Sequence, residues 1–286
     1  MSRRSSPGPV AILAGAGTLP ATLADRLEKE NRCSRIIAFR GFADNDLKRR
    51  ADKVIDLLDV KGIMACLEEW QPEAVVLAGA VRRPRASALL GSYSLFFNMQ
   101  ELKQIVARGD DNLLRGAITL LEENGFHVIG AHEIAPDIMS AEGSFAKRQP
   151  TEADHRSIEL GLEVLNSLSH YDIGQGVVVS GQRVLAIEGP EGTDQMLHRV
   201  ASLHKRRFLG GSSAPPQGGV LVKTAKIQQD LRIDMPVIGP KTVREAAKAG
   251  LSGIAIGTGR TLILKYEETI READRLNIYL LGIRAG

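Results

Sequence analysis

The chain is poor in several things that would narrow its function quickly. Of its 286 residues only two are cysteine, Cys33 and Cys66, and their spacing matches no metal knuckle. That leaves two reduced thiols of a cytoplasmic protein as the reading of these positions, not a disulfide framework. Aromatic residues make up 4%, too few for a protein that stacks bases along its surface. The net charge of +3 and the lack of any run of five or six like charges remove the electrostatic footprint of a nucleic-acid binder. No stretch approaches the roughly 20 apolar residues that cross a bilayer. The apolar stretch near the N-terminus is broken by Pro9, Gly15, Gly17 and Pro20, and no small-residue cleavage pattern follows it. Motifs of the form G-x-S-x-G, H-E-x-x-H and Walker A are missing.

What the chain does have is ordinary globular composition, 43% hydrophobic and 25% charged, which excludes disorder, and 29 glycines. Short apolar runs alternate with helical periodicity. Residues 10–14 (VAILA), 35–39, 74–78 (AVVLA) and 126–129 read as buried strands. Helices are expected from about Pro20, over 63–70, 99–107 and 112–123. Strand–helix alternation of this kind predicts a parallel sheet with helices on both faces. Periodicity lapses between 135 and 150, where Pro, Gly and Ser accumulate. Beyond it, residues 152–168 read as a helix and 177–180 with 183–187 as a hairpin turning at Gly181-Gln182. Mixed strands and helices follow to 281. The expected fold class is α/β: a Rossmann-like N-terminal domain with a parallel sheet (1–136), a linker (137–151) and a second, mixed α/β domain (152–286).

Candidate site residues gather at the ends of these strands, where α/β folds bind ligands. Gly15-Ala16-Gly17 follows the first strand, a turn without Cβ atoms that lets backbone approach a phosphate. Pro20 stands where the dinucleotide fingerprint has its third glycine, and Phe39-Arg40-Gly41 stands where an acidic residue is expected. A nicotinamide site is therefore disfavoured, although Arg40 keeps an NADP-linked oxidoreductase as one alternative. Gly79, Arg82 and Arg83 follow the third strand, placed for an anion or for solvent. Of Asp110 and Asp111, one is expected to cap a helix and the other to be free for a metal or a sugar hydroxyl. His132 is an acid–base candidate or a structural histidine. Gln175 and Glu188 flank the second-domain hairpin, and Thr193 and Asp194 open a helix, capping it or touching substrate.

The densest polar stretch is 223–240, KTAKIQQDLRIDMPVIGP. It offers Lys223, Lys226 and Arg232 as cations, with Asp230 and Asp234 as carboxylates. In an extended segment Asp230, Arg232 and Asp234 share one face. The Met-Pro-Val-Ile-Gly-Pro run after Asp234 supplies rigid support for that carboxylate. Carboxylates beside cations suit hydrolysis of a phosphoanhydride assisted by one hard divalent metal.

Seven landmarks occur in a fixed order: AGAGTLP (14–20), LAGAVRRP (77–84), GDDNLLR (109–115), GAHE (130–133), DIGQG (172–176), EGTDQMLHRV (191–200) and RIDMPVIGP (232–240). Together they resemble the LpxI family, UDP-2,3-diacylglucosamine pyrophosphatases of lipid A biosynthesis, over about 10–282. The resemblance implies Mg2+-dependent attack of water on the UMP-side phosphorus, releasing UMP and lipid X. Asp234 is then the essential carboxylate, with Asp234 and Asp230 the candidate metal ligands. It further implies a homodimer acting on a UDP-linked diacylated glucosamine; composition and hydropathy add a cytoplasmic location, membrane contact that is transient and peripheral, and no nucleic-acid partner. Three positions depart from the family pattern: Ala80, where Lys or Asn is usual, Ile227 and Met235. A non-catalytic sugar-nucleotide or lipid binder is the remaining alternative.

Overall fold

The computed structural model describes residues 8–81, 110–171, 173–207, 218–226, 229–232 and 235–284, with the side chains of 110–113 and 206–207 outside the description. The expected helix over 99–107 lies outside the described residues, as do Arg83 and Asp234. The chain divides into two compact units, 1–136 and 137–286.

In the first unit, β1 (Val10–Ala14) leads into α1 (Leu19–Lys29) and β2 (Ser34–Phe39), followed by α2 (Asn45–Arg50), β3 (Lys53–Ile55), α3 (Val60–Trp70) and β4 (Ala74–Ala78). After the undescribed residues come α4 (Asp110–Glu123), β5 (Val128–Ile129) and α5 (Ala131–Ile134). The five strands pair in the order β3-β2-β1-β4-β5, every pair parallel. The order reverses direction between β1 and β4, the switch point of a doubly wound fold. All five residues of β1 are buried, because helices cover both faces of a parallel sheet, and this is why VAILA is continuous rather than alternating. Leu23 and Leu27 recur one turn apart and are fully buried on the sheet-facing side of α1.

The second unit carries β6 (Gly143–Ser144), α6 (Glu152–Ser167), β7 (Gly176–Ser180), β8 (Arg183–Ile187), α7 (Thr193–Arg207), β9 (Val220–Lys223), β10 (Val237–Ile238), α8 (Pro240–Lys248), β11 (Gly253–Gly257), β12 (Leu262–Ile263), α9 (Tyr266–Arg275) and β13 (Tyr279–Ile283). Six strands form one mixed sheet in the order β6-β13-β11-β9-β7-β8. Its central three, β13, β11 and β9, are parallel, and β6 and β7 pair antiparallel to them. Successive side chains point to opposite faces. Val178, Leu221 and Ile254 therefore join one core with Met196, Leu197 and Val243 from the helices. Val177, Val179, Val220, Val222 and Ala255 join a second core with Ile158 and Leu165 of α6. β10 and β12 form a separate parallel pair.

Residues 137–151, expected as a linker, are grouped with the second unit, and Gly143–Ser144 pair with β13 as its edge strand. A two-residue strand of Gly and Ser has no hydrophobic period to reveal it. Residues 231 and 232 are likewise not part of the extended strand that alternation suggested, because they form a turn. The Asp230 carboxylate accepts the Arg232 N–H at 3.0 Å, an Asx turn in which a short acidic side chain outcompetes a strand ladder for the amide two residues on.

Candidate active site

In the first unit the loops after β1 and β4 meet at the switch point. The Gly15 N–H donates to the Ala78 carbonyl at 2.8 Å, the Ala16 N–H to Ala80 at 2.7 Å and the Ala80 N–H to Ala16 at 2.9 Å. A Cβ on Gly15 would lie 2.6 Å from the Ala80 oxygen, and one on Gly79, whose φ is +87°, 2.5 Å from the Ala16 oxygen. The close backbone approach that these glycines permit is thus between the two loops, and the amides of Gly15 and Ala16 are spent on it. Gly17 holds φ +95° with open space where a side chain would be. Arg40 donates to the Val54 carbonyl at 3.2 Å. His132 lies on α5, and its Nδ1 is buried with no hydrogen-bond partner among the described residues. Asp110 and Asp111 begin α4, with their side chains outside the description.

The second unit brings three expected residues together at one end of its sheet. The start of β7, the end of β8 and the end of β9 coincide there, because β7 runs antiparallel to both neighbours. Lys223 closes β9, and its Nζ donates to Thr193 Oγ1 at 2.6 Å and to the Glu188 carboxylate at 3.3 Å. The Thr193 hydroxyl in turn donates to Glu188 Oε1 at 2.7 Å. The Lys223 and Glu188 side chains are only 7% and 10% exposed. A buried charge pair survives desolvation only with such full hydrogen bonding. Gly174 and Gly176 make room for it: Cβ atoms there would lie 2.6 Å and 2.7 Å from atoms of the Glu188 side chain. Thr193, expected as a helix cap or a substrate contact, spends its hydroxyl on this cluster. Asp194 instead pairs with Lys241 at 2.6 Å, and this hydrogen bond raises the Lys241 ammonium above its usual range.

Beyond β9 the chain turns through Lys226. Gln175 Nε2 donates to Gln229 Oε1 at 3.1 Å, and the same oxygen accepts the Lys226 N–H at 3.1 Å. Asp230 holds the Arg232 guanidinium through Nη2 at 2.7 Å and Nε at 3.0 Å. Such a two-pronged grip fixes the plane of a guanidinium. Asp230 therefore acts first as the holder of Arg232. The Met-Pro-Val-Ile-Gly-Pro run is itself held in place. Met235 is buried, the Pro236 carbonyl accepts the Leu262 N–H at 2.9 Å, and the Ile238 carbonyl accepts the Leu264 N–H at 2.9 Å. Two residues that sequence reasoning passed over belong to this neighbourhood, Gln229 and Arg260. The signal for Arg260 was the Gly-Thr-Gly-Arg turn after β11, the same strand-end logic applied elsewhere.

A Rossmann-like parallel unit followed by a mixed α/β unit, the second carrying cations held by carboxylates, defines a two-unit α/β protein. The profile of the LpxI N-terminal domain matches residues 9–138, and that of the LpxI C-terminal domain matches 141–281. A relative, the UDP-2,3-diacylglucosamine pyrophosphatase LpxI of Caulobacter vibrioides, is 36% identical over 272 residues, covering 95% of this chain and 96% of its own. The chain belongs to the LpxI family.

Proposed function

We propose that the protein hydrolyses the pyrophosphate bond of UDP-2,3-diacylglucosamine to UMP and 2,3-diacylglucosamine 1-phosphate. The observation that carries this reading is the full-length likeness to a pyrophosphatase of that name. It favours the hydrolase over an NADP-linked oxidoreductase or a non-catalytic binder. The geometry supports it by holding cations in place. Lys223, buried, is anchored by Glu188 and Arg232 by Asp230, so phosphoryl charge at Arg232 meets a group that needs no rearrangement. Water forms a bond to one phosphorus of the pyrophosphate, the bridging P–O bond breaks, the bridging oxygen leaves on the other phosphate, and the proton lost by the water goes to solvent. Within the second unit, Lys226, Gln175 and Asp194 are the remaining proposed substrate contacts.

Asp234 is the carboxylate on which turnover depends. No group of three potential metal ligands occurs among the described residues, and both oxygens of Asp230 bond Arg232. A Mg2+ ion would therefore rely on Asp234 and on substrate phosphates, a ligand set this hard cation accepts. When bound, Mg2+ would neutralise phosphoryl charge. The proposal extends to a cytoplasmic homodimer with peripheral membrane contact. No helix among the described residues is long and apolar enough to cross a membrane.

The test is UMP release from the diacylated substrate by purified protein. Wild type with Mg2+ should turn over, chelation should stop it, and Asp234→Ala should lower kcat by about a thousandfold, the scale of losing a group acting in the transition state. Equal turnover by the variant would remove Asp234 from its role. Tight binding of the lipid product without any turnover would overturn the hydrolase in favour of a binding protein.

A further inference from the structure

The peptide of Lys226 is held from both sides by side chains that have no assigned part in the reaction. Its N–H donates to Gln229 Oε1 at 3.1 Å, and its carbonyl accepts Arg260 Nη1 at 3.0 Å. The Arg260 carbonyl in turn accepts the Ala225 N–H at 3.3 Å, so Arg260 grips two consecutive residues of the chain leaving β9. Gln229 carries the hold onward, since the same oxygen accepts Gln175 Nε2 at 3.1 Å.

Arg260 is itself firmly based. It ends the turn after β11, where Ser140 Oγ donates to the Gly257 carbonyl at 2.6 Å and the Gly259 N–H donates to the Ser140 carbonyl at 2.8 Å. The Thr258 N–H reaches the Ile283 carbonyl at 2.8 Å, and the Arg260 N–H returns to Gly257 at 3.1 Å. This turn is cross-braced to both ends of its own unit's sequence. A guanidinium spent on a backbone carbonyl is a holding group, and its planar fork gives that hold a direction.

We propose that Arg260 and Gln229 are positioning residues of the hydrolytic site: they fix the Lys226 peptide, and with it residues 223–226 and 229–232, which carry the site's cations. The inference rests on the hydrolase reading. Misplacement of a reacting constellation by about 1 Å costs on the order of a hundredfold in rate, so loss of the brace acts on the chemical step more than on binding.

The experiment uses the full-length protein with the diacylated UDP-sugar as substrate. Arg260→Ala should lower kcat by about 10- to 100-fold and move KM by less than about threefold. Arg260→Lys, which still places a charged donor near the carbonyl, should recover most of the loss. Gln229→Ala should behave like Arg260→Ala, and because both act on one peptide the double variant should lose less than the product of the two single losses. In the absence of substrate, hydrogen exchange over 224–232 should accelerate in Arg260→Ala and stay at the wild-type rate across the first unit. Wild-type kcat in Arg260→Ala, a loss confined to KM, or multiplicative single losses would each overturn the proposal. If Arg260→Ala does not fold, Gln229→Ala carries the same kcat, KM and exchange readouts. If wild-type protein releases no UMP, the hydrolase reading fails, while the exchange arm still decides the brace: unchanged exchange over 224–232 overturns it.

Discussion

Lys223 and Glu188 lie 35 positions apart, and nothing in the sequence pairs them. The pairing is made by the β7–β8 hairpin, which returns Glu188 to the end of the sheet where β9 leaves Lys223. Each residue was visible as a polar group at a strand end; their mutual contact is a product of topology. With both charges buried, removing one strands the other. Lys223→Met should destabilise the protein by about 3–5 kcal/mol, whereas the double variant Lys223→Met with Glu188→Gln should recover much of that loss. Urea unfolding midpoints measure both. Additive single effects of under about 1 kcal/mol would show that the pair is solvated and uncoupled. Asp230 taught the opposite lesson about alternation. Its period-two spacing with Arg232 implied a shared face, but an aspartate two residues before an amide prefers to bond it, and that local chemistry replaced the strand with a turn.

Among the elements, those with long hydrophobic periods were readable. The runs 74–78 and 183–187 became β4 and β8 at the bounds expected: burial of β4 on its sheet leaves a composition signal, and β8, partly exposed, is marked by the Gly181-Gln182 turn before it. The strands β6 and β10, two residues each, leave none, since they are strands by virtue of their partners. Helix α9 is tied to α8 by a feature with a pH signature. Glu272 accepts two hydrogen bonds from Arg275 of its own helix, at 2.8 and 2.9 Å, and one from Arg244 of α8 at 3.4 Å. The Arg275 hydrogen bonds, with Arg244 beside them, hold the Glu272 carboxyl down at about 2. A depressed carboxylate contributes stability that is fully present above its unfolded pKa of 4.5 and is lost as pH falls toward the folded value of about 2. Glu272→Gln should therefore cost about 0.5–1 kcal/mol at pH 7, discounted for the exposure of the two arginines, and progressively less below pH 4.5. Denaturation midpoints of the two proteins at pH 7 and pH 3 test this, and a gap of equal size at both would detach the effect from titration.

At the scale of the molecule, each unit has its own sheet and its own helices, and the second has an apolar core on either face of its sheet. Chains of this kind depart from all-or-none unfolding. Scanning calorimetry should give either two transitions or a calorimetric enthalpy well above the van't Hoff value; one transition with equal enthalpies would mean that the units melt together. The order of strands in the second sheet adds a constraint of a different sort, one of time. β13, the last strand of the unit in sequence, sits between β6, the first, and β11. During synthesis the first unit has all its described strands once residue 129 has emerged, and it can fold while translation continues. The second cannot complete its sheet until residues 279–283 leave the ribosome. Until then β6 has no partner, β11 presents an open edge, and the buried Lys223–Glu188 pair is assembled on an unfinished sheet. Ribosome stalling within that last stretch should leave a chain with one finished unit and a second that exposes an unpaired strand edge to chaperones and proteases.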